Sequence, residues 1–163
     1  MKIELREFQT SDLEQLDQWA KAIDSTQYMS RYRPRDLSWQ GHQPEQGLFW
    51  FVIVVAGHDG GTVWLEPGGN PHEAVLGILI GQESLLGHGI GETAIMLALE
   101  KAAEAHRYRR VTLNVRAANL RAIACYQKCG FLPVASGIKR TDSGDEIAYI
   151  TMQRYLKEEK PLS

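Results

Sequence analysis

The chain has little of what marks several large classes of protein. Its longest unbroken apolar run, Leu48 to Ala56, is far short of the ~20 residues that a membrane-spanning helix requires and reads as a buried strand. The opening MKIELREF alternates apolar and charged residues without an apolar leader segment, so export is not expected and a cytoplasmic location follows. No basic excess exists either. A formal net charge of -2 and a pI near 6.2 give no broad attraction to nucleic acid or to an anionic membrane, and neither partner is expected. The two cysteines, Cys125 and Cys129, fall four apart on one helix face, where they suit a small core pair. His42, His58, His72, His88 and His106 are scattered and HExxH is missing, so no metal site is expected. A Gly-Lys-Ser/Thr triplet is missing as well, which removes the Walker phosphate loop.

What is present describes one ordinary domain. At 163 residues, with 44% apolar and 23% charged, the chain has enough apolar material for a single core. The expected domain is 1–157, followed by a polar tail at 158–163. Alternation makes KIELREF a strand, and Thr10–Ser11 can cap a helix carrying Leu13, Leu16 and Trp19. A short helix is expected near residues 24 to 30, and the Pro, Gly, Gln and Arg content of 31 to 47 is loop chemistry. FWFVIVV and TVWLE read as a hairpin around GHDGG, and EAVLGILI as a further strand. A long helix follows, with Thr93, Glu100, Lys101 and Glu104 on its polar face and Ile95, Met96, Leu97, Ala98 and Leu99 in contact with the core. RRVTLNV is then a strand, Asn119 to Lys128 a helix, and the segments GFLPVASGI and EIAYITMQRYL two closing strands around RTDSGD. The class is mixed α/β (α+β), with one mostly antiparallel sheet of about six to seven strands flanked by helices.

Between the strand EAVLGILI and the long helix lies LLGHGIG, where Gly87, Gly89 and Gly91 precede the first helical turn. A helix start presents N–H groups without partners and the positive end of the dipole, and glycine lets backbone approach an anion closely. The order GxGxG does not complete the dinucleotide fingerprint GxGxxG, and the segment follows a hairpin instead of opening a βαβ unit. It resembles instead the pyrophosphate loop of the GNAT N-acetyltransferases, Gln/Arg-x-x-Gly-x-Gly/Ala, on Leu86, Gly89 and Gly91. A second stretch, NLRAIACYQKCGF, resembles that family's Asn-x-x-Ala-x-x-x-Tyr-x-x-x-Gly-Phe signature through Asn119, Ala122, Tyr126, Gly130 and Phe131. Leu86 departs from the usual Arg or Gln, but backbone amides do the phosphate binding. A tight turn with no ligand is the plain alternative for the glycines taken alone.

The resemblance implies a GNAT-like fold and acetyl-CoA as the acyl donor. The diphosphate would rest on the loop from Leu86 through Gly87, His88, Gly89, Ile90, Gly91 and Glu92. The pantetheine arm would run along Leu79, Ile80 and Gly81, where their strand splays from VTLNV. Asn119 and Ala122 would serve the cofactor side or cap the helix. Tyr126 resembles the general acid that protonates the departing thiolate, and a ring packed for its own sake is the alternative. An amine of pKa near 10 is mostly protonated at neutral pH and needs a base. Glu73, thirteen residues before Leu86, is the candidate by likeness to histone-modifying relatives at that point alone, with Glu83 second. The expected reaction is acetyl transfer to a primary amine of a small molecule or a protein N-terminus, by direct attack in a ternary complex. A non-catalytic acyl-CoA-binding module is the other reading. Tyr28, Arg31 and Tyr32, with Arg33 and Arg35, would border a small-molecule or peptide acceptor, favouring acidic groups and disfavouring polyamines and aminoglycosides. A homodimer is left open.

Overall fold

In β2 (Phe49–Val55), Phe49, Phe51, Ile53 and Val55 enter one apolar cluster while Trp50 and Val52 enter another, so this strand carries a layer on each side. The computed structural model describes residues 1–22 and 31–156; the helix expected near 24 to 30, Tyr28 and the 158–163 tail lie outside them. The other strands are β1 (Ile3–Glu7), β3 (His58–Pro67), β4 (Glu73–Ile80), β5 (Arg110–Arg116), β6 (Leu132–Arg140) and β7 (Glu146–Tyr155). They form one sheet in the order β1-β2-β3-β4-β5-β7-β6, antiparallel except for β4 beside β5. The mixed, mostly antiparallel fold read from the sequence is the one observed.

Helices α1 (Leu13–Ala22), α2 (Ile90–Glu104) and α3 (Leu120–Lys128) complete the described elements together with short 3-10 turns. Helix α2 buries Ile90, Ala94, Ile95, Ala98, Leu99 and Ala102 on one face of the sheet, and α3 adds Ala122, Ile123, Cys125 and Tyr126 to that cluster. On the opposite face, Leu16 and Trp19 of α1 pack with Phe8, Leu48, Trp50, Trp64 and Leu79. Phe8 stacks on Trp50 at 3.8 Å between ring centroids. Cys129 is buried and Cys125 half-buried, as a small core pair should be.

Three local expectations change. The helical start is capped at Gln9, and not by Thr10 or Ser11, with Asp12 Oδ2 accepting from Gln9 N at 2.8 Å. A 3-10 turn at Thr10–Asp12 comes first, which moves the capping position back to Gln9. The hairpin turns at Ala56 and Gly57, whose φ of 50° and 83° give the two left-handed residues of a tight two-residue loop, so β3 already begins at His58. Met96 is 41% exposed, lying next to Arg154 on the open side of α2.

Gly77 of β4 lies against the Trp64 ring, and a Cβ there would overlap the indole. Gly77→Ala is therefore expected to lower stability by about 1–3 kcal/mol, read as a shift of the denaturant midpoint at unchanged slope.

Candidate active site

The parallel pair β4–β5 holds for only three residues. Its register runs Glu73 with Arg110, Ala74 with Val111 and Val75 with Thr112, and then stops, although β4 continues to Ile80 and β5 to Arg116. The two strands part beyond Val75, leaving a wedge between them. β4 keeps its other edge on β3 to the end, with Gly68 N bonded to Glu73 O at 2.8 Å and Gly81 N to Gly60 O at 2.7 Å. Because antiparallel partners alternate, these two bonds turn the backbone of Glu73, Val75, Gly77, Leu79 and Gly81 toward β3. Leu76, Ile78 and Ile80 present theirs to the wedge. Of the three residues expected along a pantetheine arm, only Ile80 faces the gap with its main chain. Leu79 is buried in the second cluster, and Gly81 sits under Trp19, where a Cβ would come within 2.7 Å of the indole.

β4 ends in a 3-10 turn at Glu83–Leu85, and the loop then delivers α2. Gly87 and Gly89 both adopt left-handed backbone, with φ of 80° and 75°. Gly89 is the N-cap of α2, and no side chain caps it. Thr93 N reaches back to Gly89 O at 3.1 Å, so the amides of Ile90, Gly91 and Glu92 before it are the helix's unpaired first donors. Positions 87 and 89 have open space where a Cβ would stand. Glu92 of the first turn and Leu86 and His88 of the loop complete this end, with Leu86 and His88 turned to solvent. Such an end suits an anion with several oxygens.

Helix α3 packs against α2 close to that loop. A Cβ on Gly91 would lie 3.6 Å from Cys125 Sγ, in ordinary contact, which places α3 beside the first turn of α2. Asn119 caps α3, its Oδ1 accepting from Ala122 N at 3.2 Å, so the structure gives Asn119 the capping role. Tyr126, one turn after Ala122, sets its ring edge-on to Phe131 at 6.0 Å. Among the described residues its hydroxyl has no hydrogen-bond partner. Burial, reinforced by the neighbouring Cys125 and Cys129, raises its pKa above the ordinary phenol value, so the group holds its proton.

The sheet face opposite α2 carries the charged groups. Glu73 is largely buried and ion-paired with Arg110, and it also accepts from Asn70 Nδ2 at 3.2 Å. Its charge holds the Arg110 pKa above the usual arginine value. The pair closes the bottom of the wedge, two residues before the strands separate. Glu83 is exposed on the turn after β4, on the loop side of the site. Arg31 and Tyr32 lie on this same face: Tyr32 packs on the second cluster and Arg31 points to Glu66, with Nη1 to Oε1 at 3.4 Å. Arg33 donates to Trp39 O at 2.9 Å and lies over the Trp50 ring at 5.8 Å, so only Arg35 of the three arginines is an exposed side chain. Of the three charges only that of Arg31 meets a carboxylate among the described residues, Glu66; Arg33 keeps its charge against a carbonyl and an indole ring, and Arg35 is exposed.

Sequence reasoning missed Glu66 and the wedge-facing backbone of Leu76 and Ile78. Glu66 had a signal, a lone carboxylate inside the apolar strand TVWLEP. The wedge had none, because which edge of a strand is unpaired depends on its neighbours.

The glycine-started helix α2 thus follows a strand that parts from its parallel neighbour, and it packs beside the helix that carries Tyr126. The acetyltransferase (GNAT) domain family matches residues 2–132, and the chain belongs to that family. Solved structures share the fold. A putative phosphinothricin N-acetyltransferase superposes with a TM-score of 0.78 at 20% identity, covering 96% of this chain and 100% of that one. The spermidine N-acetyltransferase of Vibrio cholerae, in complex with CoA and spermine, gives a TM-score of 0.75 at 20% identity over 94% and 95%. An aminoglycoside acetyltransferase in complex with coenzyme A and kanamycin gives 0.71 at 20% identity over 94% and 95%. No curated protein matches the chain in sequence.

Proposed function

We propose that the protein transfers an acetyl group from acetyl-CoA to a primary amine, of a small molecule or a protein N-terminus, by direct attack on the thioester in a ternary complex. The observation that carries this reading is Tyr126: a phenol whose hydroxyl has no hydrogen-bond partner among the described residues, on the helix that abuts the glycine-started α2. The amides from Gly87 to Glu92 hold the diphosphate. Leu86, in place of Arg or Gln, removes one side-chain contact and leaves those amides in position. The wedge-facing backbone of Leu76, Ile78 and Ile80 pairs with the pantetheine arm.

Both reactants are then held, which removes much of the entropic barrier. The amine nitrogen bonds to the acetyl carbon and the carbon–sulfur bond breaks. Tyr126 gives its proton to the departing sulfur, and the proton lost by the amine passes through water toward the Glu73 carboxylate, which Arg110 holds in place. Arg31 and Tyr32 border the acceptor, with Glu83 at the rim.

Free-thiol release from acetyl-CoA tests this against a panel of phosphinothricin, spermidine, kanamycin, amino acids and short peptides. At least one amine is expected to raise release well above hydrolysis. CoA binding without acceptor-dependent release across the panel would instead identify a non-catalytic acyl-CoA-binding module.

A further inference from the structure

Glu66 is one of two buried polar side chains among the described residues, with Thr62 the other. It is held from three directions. Trp64 Nε1 donates to Oε2 at 2.7 Å, the backbone N–H of Arg35 donates to Oε1 at 3.0 Å, and Arg31 Nη1 approaches Oε1 at 3.4 Å. Two of these donors belong to the segment that crosses the sheet face opposite α2, and the indole comes from Glu66's own strand. In an apolar layer a lone carboxylate is costly unless its oxygens are satisfied, so the chain at 31–35 is drawn to this point.

The position of that point in the sheet matters more than its burial. Glu66 is the cross-strand partner of Val75, the last residue of β4 still paired with β5. The clasp therefore sits level with the bottom of the wedge. Helices α2 and α3 fill the other face, so an amine that reaches a thioester lodged in the wedge must arrive on the clasped side. Glu73 stands diagonally across on this face, two residues before Val75, with its own arginine. The mouth of the acceptor approach is lined by two carboxylates, each engaged by an arginine from a different element.

From this geometry we infer that Glu66 is a positioning residue for the acceptor: it anchors Arg31 and the Arg35 main chain as the wall against which the incoming amine is oriented. This rests on the acetyltransferase reading above. Glu66 touches neither the carrier nor the reacting atoms; it acts through the segment it holds. Its charge is the feature required, because Arg31 is oriented by the carboxylate and an amide would hold it less firmly.

The test compares Glu66→Gln, Glu66→Asp and Arg31→Met with the unaltered protein, using the panel amine that gives the highest turnover. Glu66→Gln and Arg31→Met are each expected to raise the acceptor KM about tenfold, with kcat within about threefold and CoA affinity by calorimetry unchanged. Glu66→Asp should recover part of the KM loss. Faster hydrogen exchange at the Arg35 amide in Glu66→Gln should accompany the change. A fall in kcat of fiftyfold or more at constant KM would overturn the inference by placing Glu66 in the chemistry, and unchanged kinetic constants in both variants would overturn it by reducing the clasp to scaffold. If Glu66→Gln fails to fold, Glu66→Asp with and without Arg31→Met decides: a double variant whose KM matches that of Arg31→Met supports action through Arg31, and additive KM losses would overturn it. Absence of turnover in the unaltered protein would be a failure of the acetyltransferase reading, recognisable before any variant is measured.

Discussion

Tyr126→Phe is expected to lower kcat by about a hundredfold while leaving CoA affinity within about twofold. Removing one hydroxyl from a half-buried ring keeps the edge-on contact with Phe131 and changes no packing volume of consequence. What is lost is the proton donor, and a positioned general acid contributes roughly 10²–10⁴ in rate. Thiol release under saturating substrates measures kcat, and calorimetry with CoA measures binding. The pH profile adds a signed check. Burial raises the Tyr126 pKa above the phenol norm of about 10, so the acid form persists throughout the neutral and mildly alkaline range. A fall in kcat between pH 8 and pH 10 that disappears in the phenylalanine variant would contradict the assignment.

Gly89→Val should abolish measurable CoA binding, a loss of a hundredfold or more. Gly89 caps α2 at a φ of 75°, a conformation that costs an L residue roughly 1–2 kcal/mol and a β-branched one more. The free protein has open space at this position, so packing itself does not oppose the side chain. The larger effect is on the ligand, because the isopropyl group would occupy the volume in front of the first amides of α2 that an anion needs. A modest loss in melting temperature together with the lost heat of binding is the expected pattern. Retention of CoA affinity in a folded Gly89→Val protein would show that the diphosphate does not rest on these amides.

Much of this arrangement was legible in the chain. The strand Glu73–Ile80 was read to the residue because it is a continuous apolar run bounded by polar turns on both sides. The three glycines marked the start of α2, and Asn119 marked that of α3, because glycine and Asx residues at helix starts act through their own local chemistry. Other features escaped for equally physical reasons. Met96 was assigned to the core from periodicity, yet it faces the side of α2 that the sheet does not cover. Arg31, Arg33 and Arg35 read as a positive row, but a carboxylate 31 residues from Arg35 and the carbonyls of a nearby turn absorb two of their side chains.

Sequence alone determined the class of the sheet and the glycine-marked start of α2, since each follows from periodicity or from contacts within a few residues. Tertiary structure alone decided that β4 and β5 part after three pairs, that Ile80 and not Leu79 or Gly81 turns its backbone to the gap, and that Glu66 meets Arg31. Strand pairing and long-range ion pairs depend on which elements become neighbours, and that is settled by the packing of the whole core on both faces of the sheet.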